Sequence, residues 1–253
     1  MIFNYIRKQI HFLKLSKRYL SDPVFKAGVK LSEIEIKKTP SRTEIINYLL
    51  SYLNRETVYL EIGVRDPADN YNHIKANHKY SVDPGLEFQE NPVDFRVTSD
   101  AFFEGLEQNL YLKNDIKFDV IFIDGLHLAP QVDRDIQNAL KYIKPDGFIV
   151  MHDCNPPTEW HARENYAYGY TPAGFYWNGT TWKAFLKWRF NNSVKSCCIN
   201  TDWGVGLLCT NHNIGDSISQ QNPFFEYHEL EADRQRLLNL IDFSVLKSLL
   251  EKK

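Results

Sequence analysis

No stretch of the chain approaches the ~20 consecutive apolar residues of a membrane-spanning helix, so no span of that kind is expected. Charge of one sign is also missing: 30 Lys and Arg against 32 Asp and Glu leave a formal net charge of −2. That balance removes any global electrostatic case for a nucleic-acid partner. Cysteine is scarce, with four in 253 residues, two of them adjacent (Cys197 and Cys198), and no C-x-x-C spacing. Neither a disulfide framework nor a zinc ribbon follows, and a reducing, cytoplasmic setting is expected. A glycine-rich loop is absent as well: Glu61-Ile62-Gly63 runs on into Val64-Arg65-Asp66-Pro67-Ala68. A phosphate-gripping site needs several close backbone amides and is thereby excluded. Internal repeats and low-complexity segments are missing too.

What is present is an ordinary globular composition, 43% apolar and 25% charged, in a chain long enough for one large domain with extensions. Residues 1–20 carry Arg7, Lys8, Lys14, Lys17 and Arg18 and no acid, while Phe3, Ile6, Ile10, Leu13 and Leu20 recur at helical spacing. Such a helix either lies on an anionic membrane surface, peripheral to the inner face, or packs on the domain with its lysines in water. Residues 23–40 read as a mixed connector, so 1–40 is expected as a helical extension and 41–253 as the main domain. Ser41-Arg42-Thr43-Glu44 has the form of a capping box, followed by an amphipathic helix through Leu53.

Short apolar runs then alternate with helix-length stretches. Val58–Val64, Lys79–Val82, a weak Phe95–Val97, Phe118–Ile123 and Phe148–Met151 read as strands, and Gly204–Cys209 as a later one. A long helix is expected from Leu230 to Leu249. This alternation predicts an α/β, doubly wound, Rossmann-like and mostly parallel sheet with helices on both faces. The strands end in Glu61, Asp83, Ser99-Asp100, Asp124 and Asp153, which places a row of polar groups at the edge where open α/β sheets bind ligands.

Each end has a functional and a plainer reading. Gly63 lets a ligand approach the backbone. Asp83, 22 residues after Glu61, is near the ~20-residue spacing at which an acid takes ribose hydroxyls, or it is a turn residue before Pro84-Gly85. Asp124-Gly125-Leu126-His127 and His152-Asp153 put two carboxylates together, which is costly unless a cation or shared proton relieves them. A divalent metal on Asp124, His152 and Asp153 would do so. Otherwise Asp124 holds a cofactor amino group and the histidines are structural.

The run Phe118–His127, a helix, and then Pro145–Asp153 resembles the small-molecule and sugar O-methyltransferase branch of the class I S-adenosylmethionine-dependent methyltransferases, over roughly Thr57 to Pro157. The resemblance implies that Glu61, Gly63, Asp83, Ser99, Asp100 and Asp124 hold S-adenosylmethionine. It also implies that Asp124, His152 and Asp153 bind Mg2+ or another divalent ion, with His127 as the base beside Asp124. Histidine stands at 152 where those relatives carry Glu.

The segment of about 155–190 interleaves Tyr166, Tyr168, Tyr170, Phe175, Tyr176, Trp177 and Trp182 with glycines and polar residues. It suits either a lid over a small-molecule or glycan acceptor, or an oligomer surface. The expected function is O-methylation of such an acceptor. The alternatives are a non-catalytic cofactor-fold binding module and a metal-dependent hydrolase using the Asp/His cluster.

Overall fold

The computed structural model describes residues 2–88, 90, 92–219 and 222–252, which leaves the outermost residues of the expected domain bounds, Met1 and Lys253, outside the described residues. The chain opens with α1 (Ile2–Ser21), α2 (Pro23–Ile36) and α3 (Arg42–Tyr52), then β1 (Val58–Ile62), β2 (His78–Val82), α4 (Ser99–Glu107) and β3 (Phe118–Ile123). It continues through α5 (Ala129–Tyr142), β4 (Ile143–Met151), α6 (Thr181–Arg189), β5 (Lys195–Ile199) and β6 (Val205–Cys209). It ends with α7 (Tyr227–Ala232), α8 (Arg234–Leu237), β7 (Leu240–Ile241) and α9 (Phe243–Glu251).

The seven strands form one sheet of order β2-β1-β3-β4-β6-β5-β7. β2, β1, β3 and β4 are mutually parallel, while β6 runs antiparallel between β4 and β5. Alternate residues feed opposite faces, as a period of two requires. Leu60, Ile121, Ile123, Ile149 and Met151 pack with Phe102, Ile136 and Phe185 on one side. Tyr59, Val120, Phe122, Phe148 and Val150 pack with Ile46, Leu49 and Leu246 on the other. Both faces are covered by helices, the doubly wound arrangement expected. The chain direction across the sheet reverses between β1 and β3, and there the carboxyl ends of the strands open a crevice.

The capping box at α3 is formed, with Ser41 accepting from the Glu44 amide and Glu44 from the Ser41 amide. Four expectations need correction. Residues 23–36 are a helix, α2, started by Asp22 accepting from the Val24 and Phe25 amides and by Pro23 in the first turn, a start signal stronger than the mixed composition suggests. The weak third strand shrinks to a single bridge between Phe95 and Val82. β4 begins at Ile143, directly after α5, with a register shift opposite Phe118–Val120, so Lys144–Gly147 lies inside the strand. The long C-terminal helix is broken into α7, α8 and α9 around β7, which pairs with the unexpected β5.

One polar residue inside the apolar β3 run explains itself. Asp119 is fully buried and accepts from Arg55 Nε at 2.8 Å, Lys144 Nζ at 2.7 Å and the Val58 amide at 2.8 Å, tying β1, β3 and β4 together.

Candidate active site

Asp124, His127, His152 and Asp153, expected together from sequence, converge at the ends of β3 and β4. Asp124 Oδ1 lies 3.4 Å from His127 Nε2 and 3.3 Å from His152 Nδ1. Asp153 Oδ2 lies 3.2 Å from His127 Nδ1 and 3.2 Å from His152 Nδ1. One ligand atom each from Asp124, His152 and Asp153 falls within 4.8 Å of the others, a spacing that a metal ion can span.

The electrostatics follow from burial. Burial works against the charge of His127, but Asp153 beside it and the hydrogen-bonded Asp124 outweigh that and push its pKa up to about 9. His152 is likewise raised, burial being overcome by Asp153 and Asp124. Asp124 is held far below its ordinary value: burial opposes this, and His152, His127 and Arg42 prevail.

Three residues missed in the sequence complete the cluster. Arg42, in the first turn of α3, sets its NH1 3.3 Å from Asp202 Oδ1 and its Nε 3.8 Å from Asp124 Oδ2. Asp202 also lies 3.1 Å from His152 Nε2. It comes from the turn joining β5 and β6, which the antiparallel β6 returns to the same sheet edge. Asn178, fully buried, donates to Asp153 Oδ1 at 2.7 Å. Asn200-Thr201-Asp202-Trp203-Gly204 is turn-forming in composition, a signal that could have drawn attention to Asp202. Arg42 was visible only as part of a cap.

His127 is positioned by the aromatic segment. Its ring stacks on Trp177 at 5.0 Å, and its carbonyl accepts from the Thr180 amide at 2.8 Å. Gly179 is required there: its φ is +60° and a Cβ would meet the His127 carbonyl oxygen at 2.1 Å. The segment is braced by Arg163, whose guanidinium donates to the carbonyls of Trp160, Gly174, Asn165 and Tyr176.

The expected cofactor residues divide into two groups. Glu61 is buried on β1, where Oε2 accepts from Tyr59 Oη at 2.6 Å and Asn70 Nδ2 at 2.9 Å. Burial lifts its carboxyl to about 7 despite those bonds. Gly63 has φ +85°, and a Cβ there would sit 2.3 Å from Gly125 Cα, so the ends of β1 and β3 touch through glycine. Asp83 accepts from the amides of Arg65 at 3.0 Å and Gly85 at 2.6 Å, fixing the loops after β1 and β2. Each of its oxygens keeps a lone pair. A cleft of about 470 Å3 opens beside these loops, lined by Arg65, Asp66, Asp69, Glu87, Phe88 and Tyr166.

Ser99 and Asp100 lie apart, in the first turn of α4 rather than at a strand end. Ser99 accepts from Gln131, and Asp100 pairs with Arg134 at 3.2 Å. Among the described residues no contact joins them to the Asp/His cluster.

Residues 49–154 match a family model described as a methyltransferase domain. Among curated proteins no sequence matches. Similar solved structures include a putative O-methyltransferase from Klebsiella pneumoniae, 18% identical over 76% of this chain and 91% of that one, with a TM-score of 0.44. An O-methyltransferase from Bacillus cereus in complex with SAH is 15% identical over 74% and 90%, TM-score 0.38. The MycE methyltransferase of the mycinamycin pathway, in complex with Mg, SAH and mycinamycin VI, is 14% identical over 82% and 59%, TM-score 0.42.

Proposed function

We propose, from a methyltransferase domain at residues 49–154 set in a class I sheet, that the chain methylates a hydroxyl of a small molecule or glycan. The donor is S-adenosylmethionine, which supplies an electrophilic methyl group on a sulfonium. The observation that carries the reading is the convergence of Asp124, His127, His152 and Asp153 beside the switch point and next to Glu61 and Gly63.

The donor set suits this cofactor. It has hydroxyls and an amino group to offer to Glu61, Asp83 and Asp124, and no phosphate that would need the missing glycine-rich loop. The cleft lined by Arg65, whose amide donates to Asp83, has the volume of a small-ligand site. Ser99 and Asp100 stand farther out, as candidates for the adenine end. In-line transfer asks the protein mainly for positioning and proton removal. His127, held by Trp177 and facing both carboxylates, is the group placed to take the acceptor proton in its neutral form.

Asp124, His152 and Asp153 also fit a divalent ion. Asp202 engages His152 Nε2, which leaves Nδ1 toward the two carboxylates, the support that metal-ligating histidines commonly have. Such an ion would lower the pKa of an acceptor hydroxyl. One imidazole and two carboxylates suit Mn2+ or Zn2+ at least as well as Mg2+. The aromatic segment of 155–190 would receive the acceptor. Four buried, unpaired cysteines accord with a cytoplasmic setting.

Calorimetry with S-adenosylmethionine and S-adenosylhomocysteine, with and without Mg2+ or Mn2+, tests the proposal. Binding that is lost in Asp83→Ala, and methyl transfer that is lost in His127→Ala and Asp153→Asn, are expected. Absence of binding in every condition would sink the methyl-transfer reading and favour the binding-module or hydrolase alternatives.

A further inference from the structure

α1 is exposed along the whole of its described length, so of the two arrangements open to it from sequence its stripe does not take the one packed on the domain. Its stripe of Phe3, Ile6, Ile10, Leu13 and Leu20 faces solvent, with Phe3 87% and Leu13 68% exposed. A second apolar side carries Tyr5, Phe12 and Tyr19 at seven-residue spacing, with Leu15 beside them. Arg7, Lys8, Lys14, Lys17 and Arg18 are all exposed, and among the described residues none pairs with a carboxylate. With a net charge of −2 overall, the rest of the chain is acidic. Residues 1–20 thus carry five positive charges and no acid, whereas the remaining chain holds 25 Lys and Arg against 32 Asp and Glu.

The helix is tied to the aromatic segment, not free of it. Tyr19 packs on Phe25 of α2 at 4.4 Å, and partial burial and neighbouring Tyr168 hold its hydroxyl above its ordinary pKa. α2 in turn docks on the segment: a Cβ at Gly28 would lie 2.6 Å from Pro172, and Ser32 Oγ meets His161 Nε2 at 2.9 Å. Tyr168, Tyr170 and Phe175 are exposed beside this junction.

We propose that α1, with the exposed aromatic residues of the adjoining segment, docks the protein on an anionic lipid surface. Among the described residues no helix is long and apolar enough to cross a membrane, so α1 would lie in the headgroup plane with its stripes toward the acyl region. Charge complementarity selects this occupant. A second copy would place Lys17 in the middle of the Phe3-Ile6-Ile10-Leu13-Leu20 seam, with Arg7 and Lys14 flanking it and no acid to answer them. A protein groove takes one apolar stripe, whereas α1 offers two. At a bilayer, lysine and arginine stems snorkel to the phosphates between both stripes, and tyrosine suits the interface. The proposal is independent of methyl transfer.

The test is co-sedimentation of the full chain with vesicles of phosphatidylcholine alone and of phosphatidylcholine with an equal amount of phosphatidylglycerol. Five cations predict a preference of at least roughly 100-fold for the anionic vesicles at low salt. Joint replacement Arg7→Gln, Lys8→Gln, Lys14→Gln, Lys17→Gln and Arg18→Gln should remove that preference. Ile6→Asp with Leu13→Asp should abolish binding, with an unchanged thermal melt because both side chains are exposed. Failure to bind anionic vesicles would overturn the proposal, as would binding that survives Ile6→Asp with Leu13→Asp. A dimer in sedimentation velocity that the same pair dissociates would assign the stripe to a second copy instead.

Discussion

Glu61→Gln separates what the active site does for function from what it costs the fold. Burial raises the Glu61 carboxyl from its ordinary 4.5 to about 7. The folded state therefore binds the proton more tightly than the unfolded one, and stability falls as pH rises from about 4.5 to about 7. Each tenfold change in proton affinity is ~1.4 kcal/mol, so the ionised carboxylate costs roughly 3 kcal/mol above pH 7. An amide keeps one oxygen to accept from Tyr59 and Asn70 and never carries the charge. At pH 8 Glu61→Gln should stabilise the cofactor-free protein by up to roughly 3 kcal/mol, or roughly 6–12 °C in Tm for a chain of this size. At pH 5 the gain should shrink below ~1 kcal/mol. In the proposed cofactor role, loss of the charged acceptor should weaken S-adenosylmethionine binding by on the order of tenfold or more. Thermal and urea unfolding at the two pH values, with calorimetry for the cofactor, would check this. Equal stability of the two proteins at pH 8, or an equally large gain at pH 5, would refute the reasoning.

Other consequences are simpler. Asp119→Ala should cost roughly 1–3 kcal/mol in urea unfolding, because it strands the Val58 amide and removes a partner of Lys144, while Arg55 keeps its pair with Asp146. As the proposed base, His127 would act only when neutral, so in the metal-free protein kcat/KM should rise with pH toward about 9. That limb should vanish in His127→Gln and move to lower pH when a divalent ion favours the neutral ring. The imidazolium also supports folding, fully below pH 6.5 and progressively less as pH rises through about 9, so the stability deficit of His127→Gln should fade in alkaline unfolding experiments. Asp202→Asn should weaken Mn2+ binding by ~10–100-fold in calorimetry.

The sheet was legible because buried parallel strands announce themselves. Phe118–Ile123 is apolar except for Asp119, and helices alternate with strands at βαβ spacing. The cluster was legible for the same reason, since strand ends of neighbouring parallel strands must meet at one edge. What failed to show depends on long-range pairing. β7 has only two residues and exists because Leu240 and Ile241 pair with Cys198 and Ile199 of β5. Phe95 keeps one bridge because Asp94 spends its carboxylate on the Ser81 amide and hydroxyl instead of extending a ladder. Arg42 and Asp202 reach the site from positions 160 residues apart, joined by the Arg42 amide donating to Asp202 at 2.7 Å. No local pattern encodes that distance.

Backbone conformation gives a second, independent mark on the same edge. Asp153, Asp202 and Trp203 are non-glycine residues in the left-handed region, with φ of 60°, 45° and 62°. Conformations of this kind cost of order 1–3 kcal/mol each and persist where the surroundings over-determine them. The surroundings here are identifiable. Asn178 holds Asp153, Arg42 and His152 hold Asp202, and the Cys154 and Asn155 amides donate to the Gly204 and Trp203 carbonyls at 2.9 Å. A fold seeking only stability would place glycine or asparagine at 153 and 202 and an apolar side chain at 152. Instead three carboxylates and two imidazoles are gathered at the mouth of the crevice, at a cost in both strain and desolvation. The sheet needs none of these groups, whereas the proposed proton removal and cation binding would use them.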